Sequence, residues 1–362
     1  DCKPKCAERE CGADGCGSVC GFCNGGNLCD EMSGECISSQ SGVVKGSIDF
    51  EYLQAGFNGN NMLELTGPST APATGLLALV YNAAGDALLG AAEVAEDGSF
   101  SVPIATATTG NEQLIFVCAW VSDWASDSLN PLVILQPEYG GEPSTGKRSL
   151  WAWSAEIDAS GDADELSLPL DAGSGAVFLL MFARAAMETV LFDFLKGDPA
   201  QLKSLGIVWA PGVDWDCGAC YGPFAQQDPD GSAICEQSIF VGGAAGGSSA
   251  WGYPVILHEV GHYVAGNYSR DNSEGGSHSL GVPIAPAFAW SEGWASFFAM
   301  STFSRLMGEP DGLYWDIQVG EGFWLNYDTA EASNDGAIVA PDPEQGLWQD
   351  LDESWVATML WH

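Results

Sequence analysis

Eight of the twelve cysteines (Cys2, Cys6, Cys11, Cys16, Cys20, Cys23, Cys29 and Cys36) fall in the first 36 residues, a stretch almost without aliphatic side chains. Such a segment cannot bury enough apolar surface to fold on hydrophobicity, so cross-links must supply the constraint. Residues 1–38 therefore read as a small disulfide-rich module, and this density of cysteine fits an oxidising compartment. Zinc is the competing use, because Cys20-x-x-Cys23 has ligand spacing, but eight cysteines with no histidine among them favour disulfides. The chain begins Asp1-Cys2, as expected once a targeting segment has been removed, so a secreted or cell-surface protein is expected.

The rest of the chain is long and apolar enough for more than one packed core: 362 residues in all, 46% hydrophobic and 11% aromatic. Beyond the junction at Ser38 to Gly42, alternating and β-branched segments take over, including Val43 to Phe50, Gly75 to Tyr81, Gly98 to Val102, Leu114 to Val121 and Leu132 to Leu135. Turn signals such as Ala84-Gly85-Asp86 and Glu96-Asp97-Gly98 separate them, and short strands at this spacing predict a β-sandwich over 43–170. Their rhythm resembles that of carboxypeptidase-regulatory or transthyretin-like sandwiches. Asp158, Asp162 and Asp164 could bind calcium, but a solvated acidic turn is the simpler reading. From Ala176 the pattern becomes helical, with a buried helix over Ala176 to Leu195 stopped by Gly197 and Pro199. A third domain of α+β type is expected over 176–362.

Charge narrows the function classes. Eleven Lys and Arg against 49 Asp and Glu give a net charge of −38, which repels nucleic-acid phosphates and anionic lipid head groups. The run Ala176 to Ala183 is ended by Arg184 and is shorter than the ~20 residues of a membrane helix, so no membrane insertion is expected. Cys118, Cys217, Cys220 and Cys235 form an even set, so Cys118 either staples the sandwich to the third domain or stays free and buried.

The chemistry concentrates after the connector Gly242 to Gly247. Tyr253 to Asn267 has Pro254 near its start and Gly266-Asn267 at its end, and reads as one helix. Within it His258 and His262 stand one turn apart on the same face with Glu259 beside them. Only four histidines occur in the chain, and two of them bracketing an acid in an apolar helix need a compensating partner, which a metal provides. A second apolar helix is expected from Ala289 to Met307-Gly308, with Glu292 as its lone acid. The longer pattern HExxHxxGxxH is excluded, because positions 265 and 268 hold Ala265 and Tyr268.

Across Gly252 to Met300 the chain resembles the gluzincin metallopeptidases, in which an HExxH helix is followed by a second helix bearing a Glu ligand, often within EGWAD. The resemblance implies a Zn²⁺ centre held by His258, His262 and Glu292, with Glu259 as the general base that takes a proton from water during peptide hydrolysis. It also implies an Asp four residues beyond Glu292, where this chain has Ser296, a hydroxyl that accepts an imidazole N–H without supplying charge. His278 is a rival third ligand or an oxyanion stabiliser, and Tyr263, Tyr314 and Tyr327 are further candidate donors. Ser238 to Val241 is placed to be an edge strand for an extended peptide. The segment CGADGCGSVCGFC resembles a Cys-rich module of secreted proteins from myxobacteria and other microbes, implying a surface or matrix ligand. Trp355 to Trp361 ends without a cap, so a longer native chain is expected. The expected function is a secreted zinc endopeptidase acting on peptides or proteins. The alternative is an inert extracellular adhesin or filament-type structural protein with a peptidase-like domain.

Overall fold

The computed structural model describes Cys6, Cys20, 28–29 and 36–37 of the first 41 residues. It also describes 42–362, apart from 59–61, 105, 107, 126–127, 138–149, 159, 216, 223–225, 228–232, 236, 244–247, 309–310, 318–321, 334–337 and 347–348. Cys6 is bonded to Cys20, which removes Cys20 from the alternative of a zinc-binding CxxC. The other cysteine pairings expected in residues 1–38 lie outside the described residues.

Among the described residues the protein is mixed α/β, with several sheets and four α-helices. The long strand Gly42–Phe57 pairs with Leu63–Pro72, Ser99–Ile104 and, in parallel, Leu166–Leu168. A second sheet runs in the order Ala152–Ala155, Gln113–Val117, Leu77–Tyr81, Leu88–Glu93. Strict alternation along Ser99–Ile104 buries Phe100, Val102 and Ile104 while its other three residues face solvent. Phe100 meets Phe116 of the second sheet edge-to-face at 5.0 Å, so the two sheets close on one core. The acidic turn at 158–162 is closed internally: Ser160 and the Asp162 backbone donate to the Asp158 carboxylate.

The strands Ala119–Ala125 and Ser128–Gln136, read from sequence as part of the sandwich, instead belong to a five-stranded sheet. Its order is Cys220–Gly222, Gln237–Phe240, Leu205–Val208, Ser128–Gln136, Ala119–Ala125. Leu205–Val208 runs parallel to both neighbours. One further correction and one choice between the stated alternatives follow. Gln237–Phe240 is an interior strand, and Cys220–Gly222 is the edge. Cys118 is buried and free while Cys217 pairs with Cys220, so no disulfide staples the sandwich to this sheet.

Helix α1 (Ala172–Thr189) begins earlier than the apolar run suggests, because Asp171 caps it by accepting from the Gly173 and Ser174 backbone, with Ser174 completing a capping box. A π-helical turn, Val190–Phe194, extends it. Together they are long and apolar enough to span a membrane, which the run ended by Arg184 had not suggested. Here α1 runs through the core, with Ala176, Val177, Leu179, Leu180 and Ala183 fully buried. Arg184 is neutralised by Glu93 and Glu188 at 2.8 and 2.7 Å.

Helices α2 (Tyr253–Tyr268), α3 (Pro286–Met307) and α4 (Glu353–Trp361) position the candidate site. α2 buries Ile256, Leu257, Val260 and Val264 and leaves His258 and His262 half-buried. Two glycines set the helix spacing. A Cβ on Gly261 would lie 2.8 Å from Ala295 Cα of α3, and one on Gly293 would lie 2.6 Å from Val356 Cβ of α4. Glu292 is thereby held between the histidines of α2 and the first turn of α4. Gly261→Ala is expected to lose about 1–2 kcal/mol in chemical denaturation, because overpacking against backbone outweighs the ~1 kcal/mol helix-propensity gain of Ala. A more stable variant would mean that α2 and α3 can separate freely.

Candidate metal centre

His258 Nε2 and His262 Nε2 lie 3.0 Å apart, and Glu292 Oε2 is 3.2 Å from the first and 3.0 Å from the second. The three residues that the sequence singled out as ligands thus converge on one point. Ligands bound to a tetrahedral zinc at ~2.0–2.1 Å sit about 3.3 Å apart, close to these separations. The donor chemistry also fits. His258 Nδ1 is 3.1 Å from Ser296 Oγ, and Ser296 is also hydrogen-bonded with Tyr327. A serine oxygen that accepts the His258 Nδ1–H leaves the His258 Nε2 lone pair facing the centre. Two imidazoles and a carboxylate arranged in this way could hold a metal ion.

Ser296 therefore stands by geometry where it can orient His258, as a neutral hydroxyl. Ser296→Ala should weaken metal binding by about 10- to 100-fold with the fold intact, as loss of an outer-shell partner does. Competition with a chromogenic chelator measures this, and unchanged affinity would remove Ser296 from the site.

Electrostatics separate the three carboxyls near the centre, each only 6% exposed. Burial pushes Glu259 up, partly offset by the two imidazoles and by a backbone N–H from Tyr221. Burial acts the same way on Glu292, but its hydrogen bonds with His258 and His262 outweigh it and hold this carboxyl well below the usual range. Burial disfavours charge on His262, yet the Glu292 hydrogen bond and charge, with Glu259 behind them, raise its pKa to about 9. The metal-free site consequently carries a proton on His262 at neutral pH, and metal must displace it. Near pH 7 the first metal equivalent should release about one proton, falling toward none above pH 10. Calorimetry in buffers of different ionisation enthalpy reads this number, and no release at pH 7 would contradict the assignment.

The third carboxyl, Glu353, was not anticipated. It opens α4 immediately after the N-cap Asp352, and burial raises its pKa to about 7. An acid in a first helical turn ordinarily complements the helix dipole, so its sequence context gave no separate signal. His278, exposed in its Gly/Ser-rich loop as expected, nevertheless brings Nε2 to 3.5 Å from Glu292 Oε2 and 3.4 Å from Glu353 Oε2. Among the tyrosines, Tyr327 touches Ser296, and the buried Tyr314 ring lies 6.0 Å from the His258 ring. Tyr263 is not at the site. Its hydroxyl donates to the Lys203 carbonyl at 2.6 Å and lies 3.0 Å from the Tyr268 hydroxyl.

Neither a known family nor a curated protein matches this chain, so its functional reading rests on this geometry.

Proposed function

We propose that the chain is a secreted zinc endopeptidase of gluzincin type. The observation that carries the reading is the convergence of His258, His262 and Glu292 beside the buried Glu259. Two nitrogen donors and one oxygen donor, with no fourth protein ligand required, suit a catalytic zinc better than a closed structural one. When bound, the metal polarises the scissile carbonyl and acidifies water. Glu259 takes the proton from the attacking water and returns it to the leaving amine. A carboxyl whose pKa burial has raised is suited to giving the proton back. Ser296, accepting the Nδ1–H, holds the His258 imidazole in the tautomer that presents Nε2.

Support for an extended peptide substrate comes from the edge strand Cys220–Gly222, whose Tyr221 backbone donates to Glu259. A substrate strand added there by main-chain hydrogen bonds would pass the general base. The disulfides Cys6–Cys20 and Cys217–Cys220 suit an extracellular location.

The test is cleavage of an unfolded, Leu- and Phe-rich protein before and after chelation. Activity should vanish with the metal and return on adding zinc. Cleavage that persists in metal-free protein would exclude this function.

A further inference from the structure

His278 lies in the connector between α2 and α3, and its Nε2 approaches the same Glu292 Oε2 that His258 and His262 approach. His278 Nδ1 is 3.3 Å from the Gly276 carbonyl oxygen, which can only accept, so Nδ1 carries a hydrogen and Nε2 is the ring atom turned toward the carboxylates. Nε2 faces Glu292 and Glu353, and two carboxylates converging on one point repel unless positive charge lies between them.

The spacing points the same way. Charge-assisted N–H···O bonds run about 2.7–2.9 Å, whereas oxygen and nitrogen ligands on one divalent ion are separated by about 3.0–3.5 Å. His278 Nε2 stands 3.5 Å from Glu292 Oε2 and 3.4 Å from Glu353 Oε2, in the second range. Glu353 supplies an independent observation. Its side chain is 7% exposed, and among the described residues its Oε2 atom is buried with no hydrogen-bond partner. A buried carboxylate oxygen left without a hydrogen bond is costly, and a bound cation removes the cost.

We propose that His278, Glu292 and Glu353 hold a second divalent cation, with Glu292 bridging it to the ion on His258 and His262. The donors of each group lie within 4.8 Å of one another and Glu292 belongs to both groups, the arrangement of a carboxylate-bridged pair. One imidazole and two carboxylates make a harder site than two imidazoles and one carboxylate, so the second ion is the more readily exchanged for manganese. It neutralises Glu353 and ties the connector bearing His278 to the first turn of α4. The proposal depends on the metal-centre reading only through Glu292, and the two fail differently.

The test uses the full chain, stripped of metal and dialysed against zinc with excess calcium to occupy exposed carboxylates. Zinc per chain is then counted by mass spectrometry. Two zinc ions are expected in the wild type and one each in Glu353→Gln and His278→Ala, which keep His258, His262 and Glu292. His278→Ala changes an exposed loop position, so it carries the test if Glu353→Gln folds poorly by circular dichroism. One zinc in the wild type at saturation overturns the second site and leaves the first standing. Two zinc ions retained by folded His278→Ala also overturn it. No zinc in the wild type overturns both sites.

Discussion

Glu259→Gln is expected to lose 100- to 10,000-fold in the rate of peptide hydrolysis, the usual worth of a general base, while keeping its metal. The amide has the carboxylate's shape and can still accept the Tyr221 backbone N–H, but it cannot take a proton from water. The residue stands between His258 and His262 in sequence, yet the ligand triangle is built from those two imidazoles and Glu292, which the substitution leaves intact. Placing a neutral amide where burial already disfavours the carboxylate should not unfold the chain. Wild type and variant must be compared at equal measured zinc content. Equal residual cleavage by both would assign the hydrolysis to another site or to a contaminant.

Glu292→Ala should have the larger effect on metal. Its Oε2 lies within 3.2 Å of both imidazole Nε2 atoms, so truncation leaves this triangle two nitrogens and no anionic ligand. The loss should exceed the ~10- to 100-fold of an outer-shell change, leaving the purified protein largely metal-free. The same variant removes the acceptor that raises the His262 pKa, so proton release near pH 7 should fall along with affinity. Folding is checked separately by circular dichroism, since α3 packs against α2 and α4 through glycines rather than through Glu292. If Glu292→Ala held zinc stoichiometrically while His278→Ala lost it, His278 would be the third ligand.

The parts of this site that were legible in the sequence are those fixed by local periodicity. A 3.6-residue repeat puts His258 and His262 on one face, and a lone acid in an otherwise apolar helix marks Glu292. Ser296 stands one turn beyond Glu292 on α3, so its meeting with His258 follows once the two helices pack. Non-local pairing was not legible. Nothing in the alternation of 119–136 says that its partner is Leu205–Val208 rather than a sandwich strand, because a strand's pattern specifies its faces and not its neighbours. The edge was misassigned for the same reason: Cys220–Gly222, only three residues long, carries no periodic signal, yet it covers Gln237–Phe240. Glu353 was hidden by its position in a first helical turn; His278 was legible as a candidate but its partners were not, because the connector's path depends on where α3 and α4 come to rest. Their juxtaposition becomes visible only when α4 docks beside Gly293.

The central claim is that this metal centre cleaves peptide bonds. Its most direct test is to incubate the fully zinc-loaded wild type with an unfolded protein and map new internal peptide termini by mass spectrometry, with Glu259→Gln at equal zinc content as the blank. The account predicts new termini with the wild type and none above background with the variant. A stoichiometrically loaded wild type that generates no new termini would contradict it and favour an inert surface protein that has kept the metal and lost the chemistry.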